Sequence, residues 1–328
     1  MTKDIQWGII GCGDVTEVKS GPAFNQIKGS KLQAVMRRNG DKARDYALRH
    51  KVPCWYDNAS KLIHDPQVHA IYVATPPGSH AEYAIQAMQA GKPVYVEKPM
   101  AATYRECLEM IKVSEQTGVP LFVAYYRRML PGFLKVKEII NSGILGKILF
   151  FSIKYMVPPQ PEDYFKPLPW RVNPELSGGG YVFDLGSHQL DLIDYFLGPV
   201  KKTSSLAINQ RGLYQPEDFI SAGFKGQNEI VGNAIWWFTA PPYCREDWME
   251  IVGERGKIVF SCFGFNNISV TLDGIVQCYD NVRPQCVQQG LIESIVDELS
   301  GRGKCPSTAK SAARTSKLLD QIVKKHHY

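Results

Sequence analysis

The chain has 328 residues, with 38 Lys+Arg against 32 Asp+Glu, a net charge of +6 and 8 cysteines. At roughly 150 residues per domain, that length predicts two domains, each large enough to bury a core. A content of 44% hydrophobic and 21% charged residues excludes long disorder; no apolar run approaches the ~20 residues of a membrane span, and the start lacks a signal-peptide layout, so a cytoplasmic protein is expected. In chain order, short apolar strands are predicted at 5–10, 31–36, 70–74, 93–96 and 120–124, with helices between them at 41–50, 81–90 and 103–117. The last helix opens on Thr103 and Glu106, the two partners of a capping box. Strand and helix alternating at this pace imply parallel strands with crossover helices, an α/β doubly wound sheet over residues 1–124.

From residue 125 the rhythm changes. A helix at 131–141 and a strand at 147–155 precede a segment with prolines at 158, 159, 161, 167, 169 and 174, too many for a helix or an inner strand. A glycine triplet at 178–180 then opens a periodic helix ending near Leu197. Strands follow at 218–225, 229–239, 248–253, 256–262 and 268–272, and helices at 288–299 and 307–325. Residues 125–328 are therefore expected to form an α+β domain around a large, predominantly antiparallel open sheet.

Gly11-Cys12-Gly13-Asp14-Val15 follows the first strand and opens a helix, where glycines let the backbone approach a pyrophosphate and free N–H groups meet its charge. Thr16 stands where a third glycine is usual, which is expected to loosen helix–strand packing slightly. The second strand ends in Arg37-Arg38 with no carboxylate before Asp41; guanidinium groups suit the 2′-phosphate of NADP better than the 2′-hydroxyl of NAD. NADP is the expected cofactor, with NAD as the alternative. The cysteines are scattered without a CxxC pair, which points to reduced thiols and gives no zinc or redox site. Basic residues are dispersed too; the short runs Arg37-Arg38, Arg127-Arg128, Lys201-Lys202 and Lys324-Lys325-His326-His327 give no basis for a nucleic-acid partner.

Three further motifs fall on the expected lip of the sheet or in the second half. They are Thr75-Pro76-Pro77-Gly78-Ser79-His80, Glu97-Lys98-Pro99, and Gly178 to His188 with Asp184 inside it. With the glycine loop and Trp170-Arg171, these make the chain resemble the Gfo/Idh/MocA oxidoreductase family, the group of glucose-fructose oxidoreductase, inositol dehydrogenase and 1,5-anhydrofructose reductase. The resemblance spans essentially the whole chain. It implies a catalytic set of Lys98, Asp184 and His188. It also implies cofactor contacts from Gly11 to Val15 and from Thr75, Pro76, Pro77, His80, Glu97, Lys98, Trp170 and Arg171, besides Arg37 and Arg38. For His80, helix capping or plain packing is an equal alternative. Many relatives carry Asn or Phe before the arginines at 127 and 128, where this chain has two tyrosines; Tyr125 is assigned to the nicotinamide side and Tyr126 to the substrate, as substitutes that could exchange. Substrate contacts are further expected from Lys98, Arg171, Asp184 and His188.

The residues themselves support these roles. Asp184, His188 and Asp191 are spaced i, i+4, i+7, one face of a helix. An imidazole can take the proton of a carbinol as hydride leaves, and return it in reduction. Lys98 can stabilise charge developing on the oxygen. A single histidine on that helix makes a metal site unexpected. The reading is an NADP(H)-dependent enzyme interconverting alcohol and carbonyl on a sugar or polyol, a homo-oligomer through its open sheet by family resemblance. The alternatives are an NAD-dependent glycoside hydrolase using transient oxidation, and a regulatory protein that binds NADP(H) without turnover.

Overall fold

The computed structural model describes residues 4–323. The chain forms two compact units, one of residues 1–129 with 284–313, the other of 130–283 with the chain from Arg314 onward. The crossing after Met129 lies a few residues past position 124, and a late segment of the chain returns to the first unit.

The first unit begins β1 (Ile5–Ile10), α1 (Asp14–Val18), α2 (Gly21–Gln26), β2 (Ser30–Met36), α3 (Gly40–His50), β3 (Cys54–Tyr56) and α4 (Ala59–Ile63). It continues β4 (Ala70–Val73), α5 (His80–Gln89), β5 (Val94–Val96), α6 (Tyr104–Thr117) and β6 (Leu121–Val123). All six strands pair in parallel in the order β3-β2-β1-β4-β5-β6. Every residue of β4, β5 and β6 is buried, as expected of parallel strands covered on both faces. α6 starts on the capping box, Thr103 Oγ1 accepting from the Glu106 N–H and the Glu106 carboxylate from the Thr103 N–H. An aromatic row, Trp7–Phe24–Tyr72–Tyr95, fills the interior with centroid spacings of 5.0, 5.6 and 4.7 Å.

The second unit contains α7 (Pro131–Asn141), β7 (Ile148–Met156), the proline-rich loop with short 3-10 turns, α8 (Pro174–Ser177), a π-helical turn (Val182–Gly186) and α9 (Ser187–Leu197). Seven strands follow: β8 (Lys201–Ile208), β9 (Phe219–Lys225), β10 (Val231–Trp237), β11 (Glu246–Gly253), β12 (Gly256–Phe260), β13 (Ile268–Leu272) and β14 (Ile275–Tyr279). The sheet runs β14-β13-β12-β11-β7-β10-β9-β8, antiparallel except for the β7–β10 pair. The chain closes with α10 (Gln289–Leu299) and α11 (Ala309–Val323). The basic run at 324–327 and the end of the expected last helix lie outside the described residues.

One face of the large sheet packs under helices: Phe260 meets Phe133 of α7 and Phe196 of α9, and the Trp236 indole N–H donates to Gln189 at 2.7 Å. Registers place Phe150, Ile235, Trp237, Phe219, Leu206 and Val231 together on the other face, and these are half-buried or exposed, Val231 49% and Leu206 55%. No described helix is long and apolar enough to cross a membrane.

Candidate active site

In the first unit β1 has β2 on one side and β4 on the other, so strand order reverses there, the place where doubly wound sheets bind ligands beyond their carboxyl ends. The glycine loop leaves β1 at this point. The Gly11 and Cys12 N–H groups donate to Met36 O at 2.9 and 3.2 Å, tying the loop to the end of β2. Gly11 has φ +93°, and a Cβ on it would lie 2.7 Å from Thr75 Cγ2; here only glycine fits. At Gly13 a Cβ would meet nothing nearer than Gly11 O at 3.9 Å, so the backbone is bare where α1 begins. Asp14 is exposed and Val15 half-buried at the start of that helix, while the Cys12 thiol is buried and pushed up to about 11 by desolvation. Thr16 differs from expectation: fully buried, its hydroxyl donates to Gly13 O at 2.8 Å and accepts from the Gly13 N–H at 3.0 Å, while its carbonyl accepts from Tyr46 Oη at 2.9 Å. The threonine knits the turn where a glycine would only have packed.

Arg37 and Arg38 stand exposed at the end of β2, and neither side chain has an ion-pair partner among the described residues. Beside them α1 and α3 are braced by Glu17, whose carboxylate accepts from both terminal nitrogens of Arg49 at 2.7 and 3.0 Å and contacts His50 Nε2 at 2.7 Å. The Arg49 hydrogen bonds outweigh desolvation and, with His50, hold Glu17 down at about 2. A depressed carboxylate contributes stability that is complete above its unfolded value near 4.5 and disappears as pH falls through its folded one. The stability difference between wild type and Glu17→Gln should thus be constant above about pH 5.5 and shrink towards pH 2. Urea unfolding across pH 2–7 measures it, and a difference that does not change with pH rules the brace out.

Two more motifs leave the same edge. After β4, Pro76 is exposed, Thr75 half-buried and Pro77 buried, and Ser79 Oγ donates to Thr75 Oγ1 at 2.8 Å. His80 lies behind this loop with no exposed surface, its ring nitrogens 2.6 Å from Thr75 O and 3.0 Å from Pro99 O. Burial pushes the imidazole pKa down while the two carbonyls and Glu97 oppose it. His80 therefore ties two loops together through their backbone. After β5, Lys98 is half-buried at the edge. Glu97 is buried: Oε1 accepts from Tyr72 Oη at 2.6 Å and Gln288 Nε2 at 2.7 Å, and Oε2 accepts from the Lys98 N–H at 3.1 Å. Tyr125 is fully enclosed in the unit's core cluster, and Tyr126, also buried, lies under the Arg127 guanidinium at 5.3 Å. The edge thus collects Gly11 to Val15, Arg37, Arg38, Thr75 to Pro77 and Lys98, whereas His80, Glu97 and Tyr125 sit behind it.

In the second unit the π turn changes the helix expected to carry the acid. Its wider bonding interrupts the α spacing, so i, i+4 no longer fixes Asp184 in the row of His188 and Asp191; such turns recur at functional sites. Asp184 Oδ2 accepts from Arg171 Nε at 3.0 Å, and that guanidinium lies over the Trp170 ring at 4.8 Å. The proline-rich loop and the helix are joined a second time where Tyr181 Oη donates to Asp163 at 2.7 Å. His188, 3% exposed, meets the Phe263 ring edge-on at 6.0 Å and 76°. Phe263 is set by Asp247, whose carboxylate accepts from the N–H groups of Cys262, Phe263 and Gly264 at 2.9, 2.6 and 2.8 Å. Gln288, Asp247 and Phe263 were invisible in the sequence, since their partners are distant in the chain and no motif marks them. No cluster of metal-ligating side chains occurs among the described residues.

The bare glycine turn, with two unpaired arginines one strand away, fits a dinucleotide: a backbone cradle for the pyrophosphate and guanidinium groups for the adenosine end. Residues 5–125 match the family model described as "Oxidoreductase family, NAD-binding Rossmann fold", and residues 133–259 match the GFO/IDH/MocA C-terminal domain. Oxidoreductase P35 of Formosa agariphila is 37% identical over 321 residues, covering 98% of each chain. Inositol 2-dehydrogenase 2 of Saccharopolyspora erythraea is 28% identical over 263 residues, 79% of this chain and 73% of that one. Among solved structures, levoglucosan dehydrogenase in complex with NADH and levoglucosan superposes with a TM-score of 0.88 at 21% identity, covering 98% and 96% of the two chains. A parallel dinucleotide-binding sheet joined to a large mixed sheet, with both halves matched by the family's own models, means that the chain belongs to the Gfo/Idh/MocA oxidoreductase family.

Proposed function

We propose that the protein is an NADP(H)-dependent oxidoreductase that interconverts an alcohol and a carbonyl on a sugar or polyol. The observation that carries the cofactor choice is the exposed, unpaired Arg37-Arg38 at the end of β2, with no carboxylate in the ribose-selecting position. The substrate class is supported by the relatives that act on inositol and levoglucosan, and by the hydroxyl-binding character of the Arg171–Asp184 pair. When bound, the dinucleotide supplies or takes up the hydride. His188 takes the hydroxyl proton onto its imidazole as the carbinol carbon loses hydride, and returns that proton in reduction. Lys98 stabilises negative charge developing on the substrate oxygen. Asp184, held by Arg171, orients a neighbouring hydroxyl. All eight cysteines are free, which suits a reducing, cytoplasmic setting, and the uncovered apolar sheet face supports a homo-oligomer.

Fluorescence titration with NADPH and NADH tests the cofactor choice. The wild type is expected to bind NADPH at least tenfold more tightly. Replacing both arginines with alanine should cost NADPH about 10- to 100-fold and NADH little, the equivalent of one charge-assisted hydrogen bond of about 1.5–3 kcal/mol. Equal wild-type affinities would falsify the NADP assignment. A screen of aldoses, ketoses, dicarbonyl sugars and inosones that follows NADPH oxidation, together with the matching polyols and NADP⁺ reduction, tests the substrate class; no turnover on any of them overturns it.

A further inference from the structure

We propose that Gln288 is a positioning residue for Lys98, acting through Glu97; this rests on the reading that Lys98 serves the reaction. Gln288 lies just before α10, in the segment that returns to the first unit, and the residue is 1% exposed. Its amide has one possible orientation. Tyr95 Oη donates to Gln288 Oε1 at 2.7 Å, which leaves Nε2 to donate to Glu97 Oε1 at 2.7 Å; turned over, the amide would set oxygen against carboxylate oxygen. Tyr72 donates to the same Glu97 oxygen at 2.6 Å, and Tyr72 and Tyr95, both fully buried, stack at 4.7 Å. With Oε1 held by two donors, the carboxylate cannot rotate without leaving a buried charge unsatisfied, so Oε2 stays facing the Lys98 N–H at 3.1 Å. The lysine side chain therefore departs from a pinned backbone. The segment is separately anchored by its main chain, Gln288 N–H to Lys19 O at 3.3 Å, and by Cys286 Sγ to Lys19 O at 3.0 Å. Removing only the Gln288 amide leaves that anchor in place.

A displacement of about 1 Å at a reacting group lowers rates by up to 10². Gln288→Met, nearly isosteric and unable to make either hydrogen bond, is expected to lower kcat about 10- to 100-fold on the best sugar of the screen. The Kd for NADPH and the sugar KM should stay within about threefold. Gln288→Glu sets two carboxylates together, and Glu97→Gln, its oxygen kept towards Gln288 Nε2, turns its NH2 onto the Lys98 N–H, so each alone should lower kcat. Combined, they rebuild a carboxylate–amide pair with the roles exchanged and should recover at least tenfold over either single variant. That recovery decides the matter even where Gln288→Met fails to fold. The proposal is overturned by Gln288→Met turnover within twofold of wild type, by equal losses of kcat and NADPH affinity, or by a double variant no better than the singles. Lys98→Met separates the two layers: wild-type turnover there removes the role of Lys98, whereas an inactive Lys98→Met beside an unaffected Gln288→Met removes only that of Gln288.

Discussion

His188→Asn is expected to lower kcat by about 10²–10⁴ while leaving the Kd for NADPH unchanged. Asparagine approximates the imidazole in reach and can still hydrogen-bond, but it cannot take up and return a proton near neutral pH. The site sits at the start of α9, where His188 is enclosed and its ring meets the edge of Phe263, so the substitution trades one polar group for another without opening a large void. Cofactor contacts assigned to the first unit are untouched, and the loss should therefore appear in kcat and kcat/KM together, the mark of an interaction made in the transition state. Steady-state kinetics on the best substrate, alongside a dinucleotide titration, measures both. Turnover within threefold of wild type sinks the acid–base assignment; loss of dinucleotide binding in parallel would instead place His188 in the cofactor site.

The second large effect concerns assembly. Wild-type protein in solution is expected to show a light-scattering mass at a multiple of 36.8 kDa, and Ile235→Lys to show the monomer. Ile235 lies in the middle of β10 on the uncovered sheet face, beside Lys154 on β7, which is itself paired with Glu246 at 2.9 Å. A second ammonium there has no carboxylate to itself and faces a like charge. Taking an ammonium with no partner of its own out of water into an interface costs several kcal/mol, and each 1.4 kcal/mol is a factor of ten in affinity. Two symmetry-related copies of the substitution would weaken a twofold interface by at least 10³. A monomeric wild type, or an Ile235→Lys protein of unchanged mass, rules out this face as the interface.

What could be read from the sequence was what is local. The glycine loop, the capping box at Thr103 and Glu106, and the Lys98 turn all follow from residues within a few positions of one another, and each lies in the structure where its spacing placed it. The predicted strands announced themselves as short apolar runs or runs bounded by turn residues. The unforeseen strands are too short or too exposed to make such a run: β3 is three residues long, while β8 and β14 are edges whose residues are mostly exposed. The π turn was hidden because an α period and a π period cannot be told apart over five residues. The supports behind the site were hidden by distance: Glu97 and Gln288 are 191 positions apart, so nothing in either neighbourhood points to the other. Thr16 shows a subtler limit, since the departure from glycine was visible but its hydroxyl bonds to Gly13 were not.

The path of the chain between the units bears on how the protein is made. Residues 284–313 belong to the first unit, yet they are synthesised after all of 130–283. A nascent chain that has emerged only as far as Met129 holds every glycine of the phosphate loop, but Glu97 still lacks Gln288 and Tyr95 its acceptor. The dinucleotide unit therefore cannot finish its interior while translation proceeds domain by domain. It waits, with the Glu97 carboxylate short of one donor, until Gln288 has left the ribosome.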